Sequence, residues 1–419
     1  MAQLTALSLF AGCGGFCEGI ELAGFKVKCA VELDKFAAET YRHNFPKTPL
    51  FEGDVAAFLN TPGQDHIKQY GLKNIDLIFG GPPCQGYSQI GPRDLHDPRN
   101  RLFEEFSRVV STLRPKLFLM ENVPNLLLLN KGHFRDLILE EFARIGYANT
   151  TFVKVSAADY GVPQLRQRVV FVGVRDDLAL NDELRSVVQR TLTKMVHLLP
   201  FTVRDAISDL PNRVVPSGSV MPYPKKGTLS EFQKMMRLDA EAGPYTKAVK
   251  RRRGFGNGAP VLHNHHTKEI QERRAHLISF LKPGQKADSL PKEIWNGKRP
   301  EKWRRLHPDL PSYTILAQMH RDLSEWVHPR LSRWITVREA ARLQSFHDGF
   351  VFVGSEWQQL KQIGNAVPPL LAYALGMMAK TVVKKLAVAK PQKAVRLGRV
   401  KAAGPSRASA EPSTRRSAA

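Results

Sequence analysis

Cysteine is scarce. The 419 residues hold four, at positions 13, 17, 29 and 84. They form no paired C-x-x-C knuckles, which argues against structural zinc. So few thiols in so long a chain point to a reducing compartment rather than a disulfide-stapled secreted domain. Acidic residues are also short: Asp and Glu number 39 against 62 Lys and Arg, a formal net charge of +23. A sequence pI of about 10.0 is the footprint of a polyanionic partner. The stretch from position 390 to 419 carries eight basic residues and one acidic, which leaves +16 on the body of the chain. Long greasy runs are missing as well. The segments 117–120 and 126–129 are far too short to span a bilayer. The start lacks a basic n-region and runs straight into a glycine loop, so no signal peptide is expected. No internal repeat is visible. A membrane protein, a metal protein and a repeat array are therefore not expected.

What is present centres on Asp76-Leu-Ile-Phe-Gly-Gly-Pro-Pro-Cys-Gln-Gly-Tyr-Ser88. The apolar run 75–79 reads as a short buried strand, stopped by two glycines and two prolines. Cys84 follows the stop. In an α/β protein, ligands and chemistry gather at the carboxyl ends of parallel strands. Pro82 and Pro83 stiffen the loop, which suits a positioned nucleophile. A merely structural cysteine is the alternative, since free Cys is commonly buried.

The chain opens in the same idiom. Residues 4–10 read as a strand, 11–15 as a tight glycine turn, 16–23 as a helix stopped by Gly24, and 27–33 as a second strand. This β-turn-α-β unit begins a doubly wound sheet. Its glycines let a ligand approach the backbone at the helix N-terminus. Glu32 lies 20 residues after Gly12, a spacing that suits a carboxylate on ribose hydroxyls. The dinucleotide pattern G-x-G-x-x-G fails at Cys17, which favours a nucleoside ligand without pyrophosphate over a nicotinamide dinucleotide. Asp54 follows another short extended piece and either meets an adenine amino group or caps a helix. A helix is expected from Pro98 to about Leu113. The strand 116–120 ends in Glu121, a candidate proton donor or a salt-bridged acid. A helix over 134–145 and a strand over 169–174 complete this half. Arg166 and Arg168 fall on one side if their stretch is extended.

From about residue 190 the β/α rhythm dissolves. Basic clusters at 250–253, 273–274 and 298–305 are interleaved with Trp295 and Trp303, as expected of a surface that faces phosphates. The run His263-Asn-His-His266 has no nearby Cys or closely spaced acid to complete a metal site. Helical periodicity resumes over 338–346, and 362–369 leads into a helix to about 386. The rest is rich in Ala, Pro, Ser, Lys and Arg and reads as a disordered tail. The expected domains are 1–189, 190–333, a returning segment 334–386, and a basic tail 387–419.

The motifs now on the page resemble those of the cytosine-5 DNA methyltransferases: Leu9-Phe-Ala-Gly-Cys-Gly-Gly15, Gly81-Pro-Pro-Cys-Gln85, Glu121-Asn-Val123, Gln164-x-Arg-x-Arg168 and Gly364-Asn-Ala-Val-Pro368, in the family's usual order. The resemblance implies a Rossmann-like methyltransferase fold with a smaller irregular target-recognition domain over 190–333. It implies S-adenosylmethionine as methyl donor. Phe10, Ala11, Gly12, Cys13, Gly14 and Gly15 would cup it, with Glu32 and Leu33 at the ribose and Asp54 and Val55 at the adenine. Gly81, Pro83, Leu102, Asn365 and Val367 match further positions of that pocket. Cys84 matches the nucleophile, Glu121 the residue at ring N3 and Arg168 the one at O2. Arg166 would help favour the thiolate. Gln85, Ser88 and Arg99 match DNA contacts. Double-stranded DNA is the implied partner, with a monomer acting on it in a prokaryotic cytoplasm. A tRNA methyltransferase on the same fold is disfavoured by the length of 190–333. A non-catalytic DNA-binding module is disfavoured because every catalytic position is intact.

Overall fold

A computed structural model describes residues 3–60, 62, 64–83, 101–197, 199–224, 227–239, 243–253, 261–295, 303–319 and 325–388. Cys84, Gln85, Ser88, Arg99 and the tail from 389 lie outside the described residues. The first half alternates strand and helix: β1 (Leu4–Leu9), α1 (Gly15–Leu22), β2 (Phe25–Glu32), α2 (Lys35–Asn44), β3 (Leu50–Glu52), α3 (Val55–Asn60), α4 (His66–Gln69), β4 (Leu77–Gly80), α5 (Arg101–Leu113), β5 (Leu117–Asn122), α6 (His133–Arg144), β6 (Asn149–Ser156), β7 (Gln164–Leu165), β8 (Gln167–Val174), β9 (Leu178–Leu180) and α7 (Leu184–Thr193). Shorter pieces follow: α8 (Val203–Ile207), α9 (Glu231–Met236), α10 (Pro244–Arg253), α11 (Glu272–Ser279), β10 (Trp303–Arg305), β11 (Ser312–Tyr313) and β12 (Glu325–Val327). The chain returns through α12 (Val337–Leu343), α13 (Glu356–Asn365), α14 (Pro369–Lys385) and β13 (Leu386–Val388).

Seven strands form one sheet in the order β3-β2-β1-β4-β5-β8-β6. Every pairing from β3 to β5 is parallel, while β8 runs antiparallel to both β5 and β6. The strand order reverses at β1, so a crevice opens beyond the carboxyl ends of β1 and β4. Side chains alternate across the sheet. Leu77, Phe79, Leu117 and Leu119 join the core under α1, α7 and α14. Ile78, Phe118, Met120 and Phe171 join the core under α5 and α6. The doubly wound, mostly parallel sheet expected from sequence is therefore present.

Helices α1 and α14 meet almost backbone to backbone. A Cβ at Gly19 would collide with the main chain of Ala372 and Tyr373, and one at Gly376 with Ala23 at 2.7 Å. This packing docks the C-terminal segment on the first helix. The sequence reading took 117–120 and 126–129 as the longest apolar runs; 356–385 is longer. By length and composition it could cross a membrane, but 78% of its apolar window is buried inside the protein.

Residues 190–333 divide in their packing. Val203, Ile207, Phe232 and Leu262 belong to the large core that includes α1 and α14. Ile278, Leu281, Leu290, Trp303, Val327 and Trp334 form a small core of their own. The histidine run serves packing here. His265 is held between Pro211 O (2.8 Å) and Thr336 Oγ1 (3.2 Å), and Asn264 donates to Phe352 O (2.9 Å).

His328, just after β12, accepts the backbone N–H groups of Arg330 and Leu331 on Nδ1, both at 3.1 Å. Burial pushes its pKa down from 6.5 to about 4, and the nearby Glu339 carboxylate only partly opposes this. Between those values the unfolded chain binds the proton and the folded one does not. The associated stability is complete above pH 6.5 and is lost as pH falls toward 4. His328→Asn keeps an acceptor for the two N–H groups but cannot titrate. Its melting temperature is expected to fall less steeply between pH 7 and pH 5 than that of the wild type, by differential scanning fluorimetry.

Candidate active site

The sheet register explains why distant residues meet. Val31, Leu9, Gly80, Met120 and Phe171 sit side by side on successive strands. One residue further along are Glu32, Phe10, Gly81 and Glu121, all at the open crevice. There they line a cleft of about 760 Å³. Its walls also include Ala11, Gly12, Cys13, Gly15, Leu33, Asp54, Val55, Pro83, Leu102, Arg166, Arg168, Asn365 and Val367. Gly14 is the exception among the expected pocket residues. At φ 103° it does not line the cleft, and a Cβ there would meet the rings of Phe45 and Tyr41.

At one end Glu32 is gripped by the main chain. Its Oε2 accepts Gly12 N–H at 2.6 Å and its Oε1 accepts Asp34 N–H at 2.7 Å. Burial raises its pKa, while those two N–H groups pull it down. Gly12 has φ 57°, and nothing lies within 4 Å of where a Cβ would stand, so a ligand can approach its backbone. Leu33 is 66% exposed beside it, an apolar face on the cleft wall. Asp54 uses one oxygen to cap α3, accepting Ala56 N–H at 2.8 Å, and also lines the cleft. The capping alternative considered for Asp54 is therefore present. The donor and acceptor set fits a nucleoside: carboxylates for hydroxyl and amino donors, an apolar wall for a ring, and open backbone at the glycine turn.

At the other end Glu121 and Arg168 are paired, Arg168 Nε to Glu121 Oε1 at 2.6 Å, each about one-tenth exposed. The strand carrying Glu121 runs on through Asn122, two residues past its expected end, because both continue the antiparallel ladder with β8. Glu121 Oε2 hangs over Gly81, where an added Cβ would stand 2.8 Å away, so only glycine leaves the carboxylate its place. Asn122 Nδ2 donates to Pro82 O at 3.0 Å and pins the loop that leads to Cys84.

Arg166 and Arg168 both line the cleft but are held differently. Arg166 is 2% exposed and donates to Ile315 O (3.2 Å), Gly364 O (3.0 Å) and Ala366 O (3.1 Å). Burial, and then the like charge of Arg168, lowers its pKa, while Glu121 offsets part of this. Gln164 donates to Leu343 O and Gln344 Oε1. Gln164 and Arg166 thus tie β7 to α12 and to the end of α13. Cys13 lines the cleft but is 1% exposed, and burial pushes its thiol up to about 12, so it stays protonated. The sequence reading missed Asp34 and Lys361, and it quoted Asn122 only as the middle of the Glu121-Asn-Val123 motif, without its hold on Pro82. Asp34 was findable as a helix N-cap two residues after Glu32; nothing local marks Lys361.

A mostly parallel doubly wound sheet with one reversed strand, and a cleft at its switch point, define a Rossmann-like methyltransferase fold. The profile of the C-5 cytosine-specific DNA methylases matches residues 4–380. The chain belongs to that family and is a DNA (cytosine-5-)-methyltransferase. It is 34% identical over 395 residues to the Type II methyltransferase M.DdeI of Desulfomicrobium norvegicum, covering 89% of this chain and 87% of that one. It is 35% identical over 381 residues to M1.HphI of Haemophilus parahaemolyticus, covering 89% and 86%. A crystal structure of an E. coli protein, described as a DNA modification methyltransferase encoded within a prophage, superposes with a TM-score of 0.69 at 29% identity, covering 91% and 99%.

Proposed function

We propose that the enzyme methylates C5 of a cytosine flipped out of a specific duplex DNA sequence, through a covalent bond between Cys84 Sγ and ring C6. S-adenosylmethionine, bound along Phe10–Cys13, Gly15, Glu32, Leu33 and Asp54, supplies an electrophilic methyl group. The observation that carries this reading is the joint address of the two ends: the nucleoside-shaped wall and the Glu121–Arg168 pair share one cleft. Pro83, the residue before Cys84 in the chain, lines it too.

Addition of the Cys84 thiolate to C6 makes C5 nucleophilic. Negative charge moves onto N3 and O2, where Glu121 and Arg168 can donate or neutralise. Their pairing keeps both side chains oriented beforehand. After C5 is methylated, its proton leaves to a base and the S–C6 bond breaks to return the thiolate. Flipping the base costs a few kcal/mol, which contacts from Gln85, Ser88, Arg99 and the basic surface would offset. The Type II names of the relatives and the +23 charge support a modification enzyme of a restriction system that acts on DNA.

Methyl transfer from labelled S-adenosylmethionine to genomic DNA and to tRNA in parallel, with bisulfite sequencing of the product, tests the reading. Label on DNA cytosines at one recurring sequence is expected; label on tRNA alone would overturn it. Glu32→Ala is expected to weaken cofactor binding by about 1.5–3 kcal/mol, the scale of hydrogen bonds to a charged group, while leaving DNA affinity in place. Calorimetry with unchanged cofactor affinity would remove Glu32 from the pocket.

Residues 190–333 are read as the target-recognition domain. The portion with a core of its own, about 270–334, supports this best, since it is a separate packing unit that carries the basic residues 273–274, while Trp303 and the Trp295 packed on it are taken up by that core rather than offered to a phosphate surface. Exchanging 270–333 for the matching segment of a relative with another specificity should change the methylated sequence and keep activity. An active hybrid that still methylates the original sequence would refute the assignment.

A further inference from the structure

We infer that Lys361 is a positioning residue for the cofactor, its ammonium forming a strap with Asp34 across the rim of the cleft. The inference rests on the cofactor reading above and goes beyond it, since neither residue belongs to the motifs that suggested the pocket. Lys361 lies on α13 and Asp34 at the start of α2, 327 positions apart, and Lys361 Nζ donates to Asp34 Oδ2 at 2.7 Å. Both line the cleft. The two side chains are 37% and 32% exposed, so the strap sits at the mouth rather than in the core.

Asp34 links this bond to the pocket wall. Its Oδ1 caps α2 by accepting Phe36 N–H (3.0 Å) and Ala37 N–H (3.2 Å). Its own N–H holds Glu32 Oε1, while Gly12 N–H holds Oε2. Lys361, Asp34, Glu32 and Gly12 are therefore one chain of contacts. It joins α13, which ends at Asn365, to the turn expected to grip the ribose. Lys361 also lies 5.6 Å from the Trp357 ring centroid one turn back on α13, which limits where the ammonium can go. Releasing the strap frees α13 from the β2–α2 turn and loosens both walls on the nucleoside at once.

The test is calorimetric titration of the full chain with S-adenosylhomocysteine, which binds without reacting. Lys361→Met removes the cation. Asp34→Asn weakens the pairing but keeps the α2 cap, because Asn also caps well. Each single variant is expected to bind roughly 2- to 5-fold more weakly, the range of a partly exposed ion pair. The double variant should be no weaker than the worse single one, as coupled residues require. In turnover the change should fall on KM for the cofactor rather than on kcat, and Lys361→Arg should recover affinity. Additive losses, unchanged affinity, or a loss of duplex DNA affinity in place of cofactor affinity would overturn the strap. Glu32→Ala separates the two levels: if it too binds as wild type, the cofactor reading fails; if it alone binds weakly, only the strap fails.

Discussion

Cys84→Ser should abolish methyl transfer while leaving cofactor affinity within a few-fold. The expected loss is roughly 10³-fold or more, the scale seen when a covalent nucleophile is removed. A hydroxyl is a far poorer nucleophile than a thiolate at neutral pH. The supports of the two ends are separate. Glu32 is held by Gly12 and Asp34 on the β1–β2 side. The loop to Cys84 is pinned by Asn122 on Pro82. Removing one sulfur disturbs neither hydrogen-bond set. The other cysteines cannot substitute, since Cys13, Cys17 and Cys29 are all buried. DNA carrying 5-fluorocytosine should trap the wild-type enzyme covalently, because fluorine at C5 blocks release of the sulfur, and should not trap the variant. Turnover near the wild-type rate in Cys84→Ser, or no covalent complex with the wild type, would sink the assignment.

The first half of the fold was legible because strand ends there are marked by glycine and proline. β1, α1, β2, β4 and β5 all fall within a few residues of their expected bounds. No helix was expected over 35–44, where α2 stands. Its sequence KFAAETYRHN buries mainly small residues and Tyr41, a faint apolar stripe. β6 was passed over too: NTTFVKVS is a half-buried strand whose threonines mask the alternation. The β/α rhythm persists slightly past residue 190, since α7 ends at Thr193. The reversed direction of β8 has no local signature, because strand direction is set by the connection and not by composition. The Gln164-x-Arg-x-Arg168 motif shows the same limit. Both arginines were expected to face the chemistry, Arg168 at ring O2 and Arg166 beside the thiolate. Arg166 takes its partners from 149 to 200 residues away, and only tertiary structure separates its buttressing contacts from those of Arg168.

Arg342→Met should be the most destabilising single change on α12. Arg342 is fully buried. Its Nε and Nη2 donate to the two oxygens of Asp348 at 2.8 and 2.6 Å, and its Nη1 to Ala206 O at 2.9 Å and to Asp209. Asp348 is itself 0% exposed. Burial alone would raise its pKa, but the charges of Arg342 and Arg338 and the Tyr223 hydroxyl hold it below the usual carboxylate value. Without Arg342, the Asp348 side chain keeps, among the described residues, only Tyr223 and an Arg338 guanidinium 3.9 Å away. Stranding a buried charge in this way costs about 3–5 kcal/mol, a fall in melting temperature of roughly 4–6 °C for a chain of this size. The pH dependence gives the sign. A carboxylate with a depressed pKa stabilises above its unfolded value and stops doing so as pH falls through the folded one. In Arg342→Met that folded value rises, so Asp348 can be protonated at milder acidity. The deficit against wild type should therefore shrink as pH is lowered from 7.5 toward 5. Adding Asp348→Leu removes the orphaned charge and should recover part of the loss at neutral pH. Melting within 2 °C of wild type at pH 7.5, or a deficit that grows on acidification, would mean that the Arg342–Asp348 pair does not stabilise this helix.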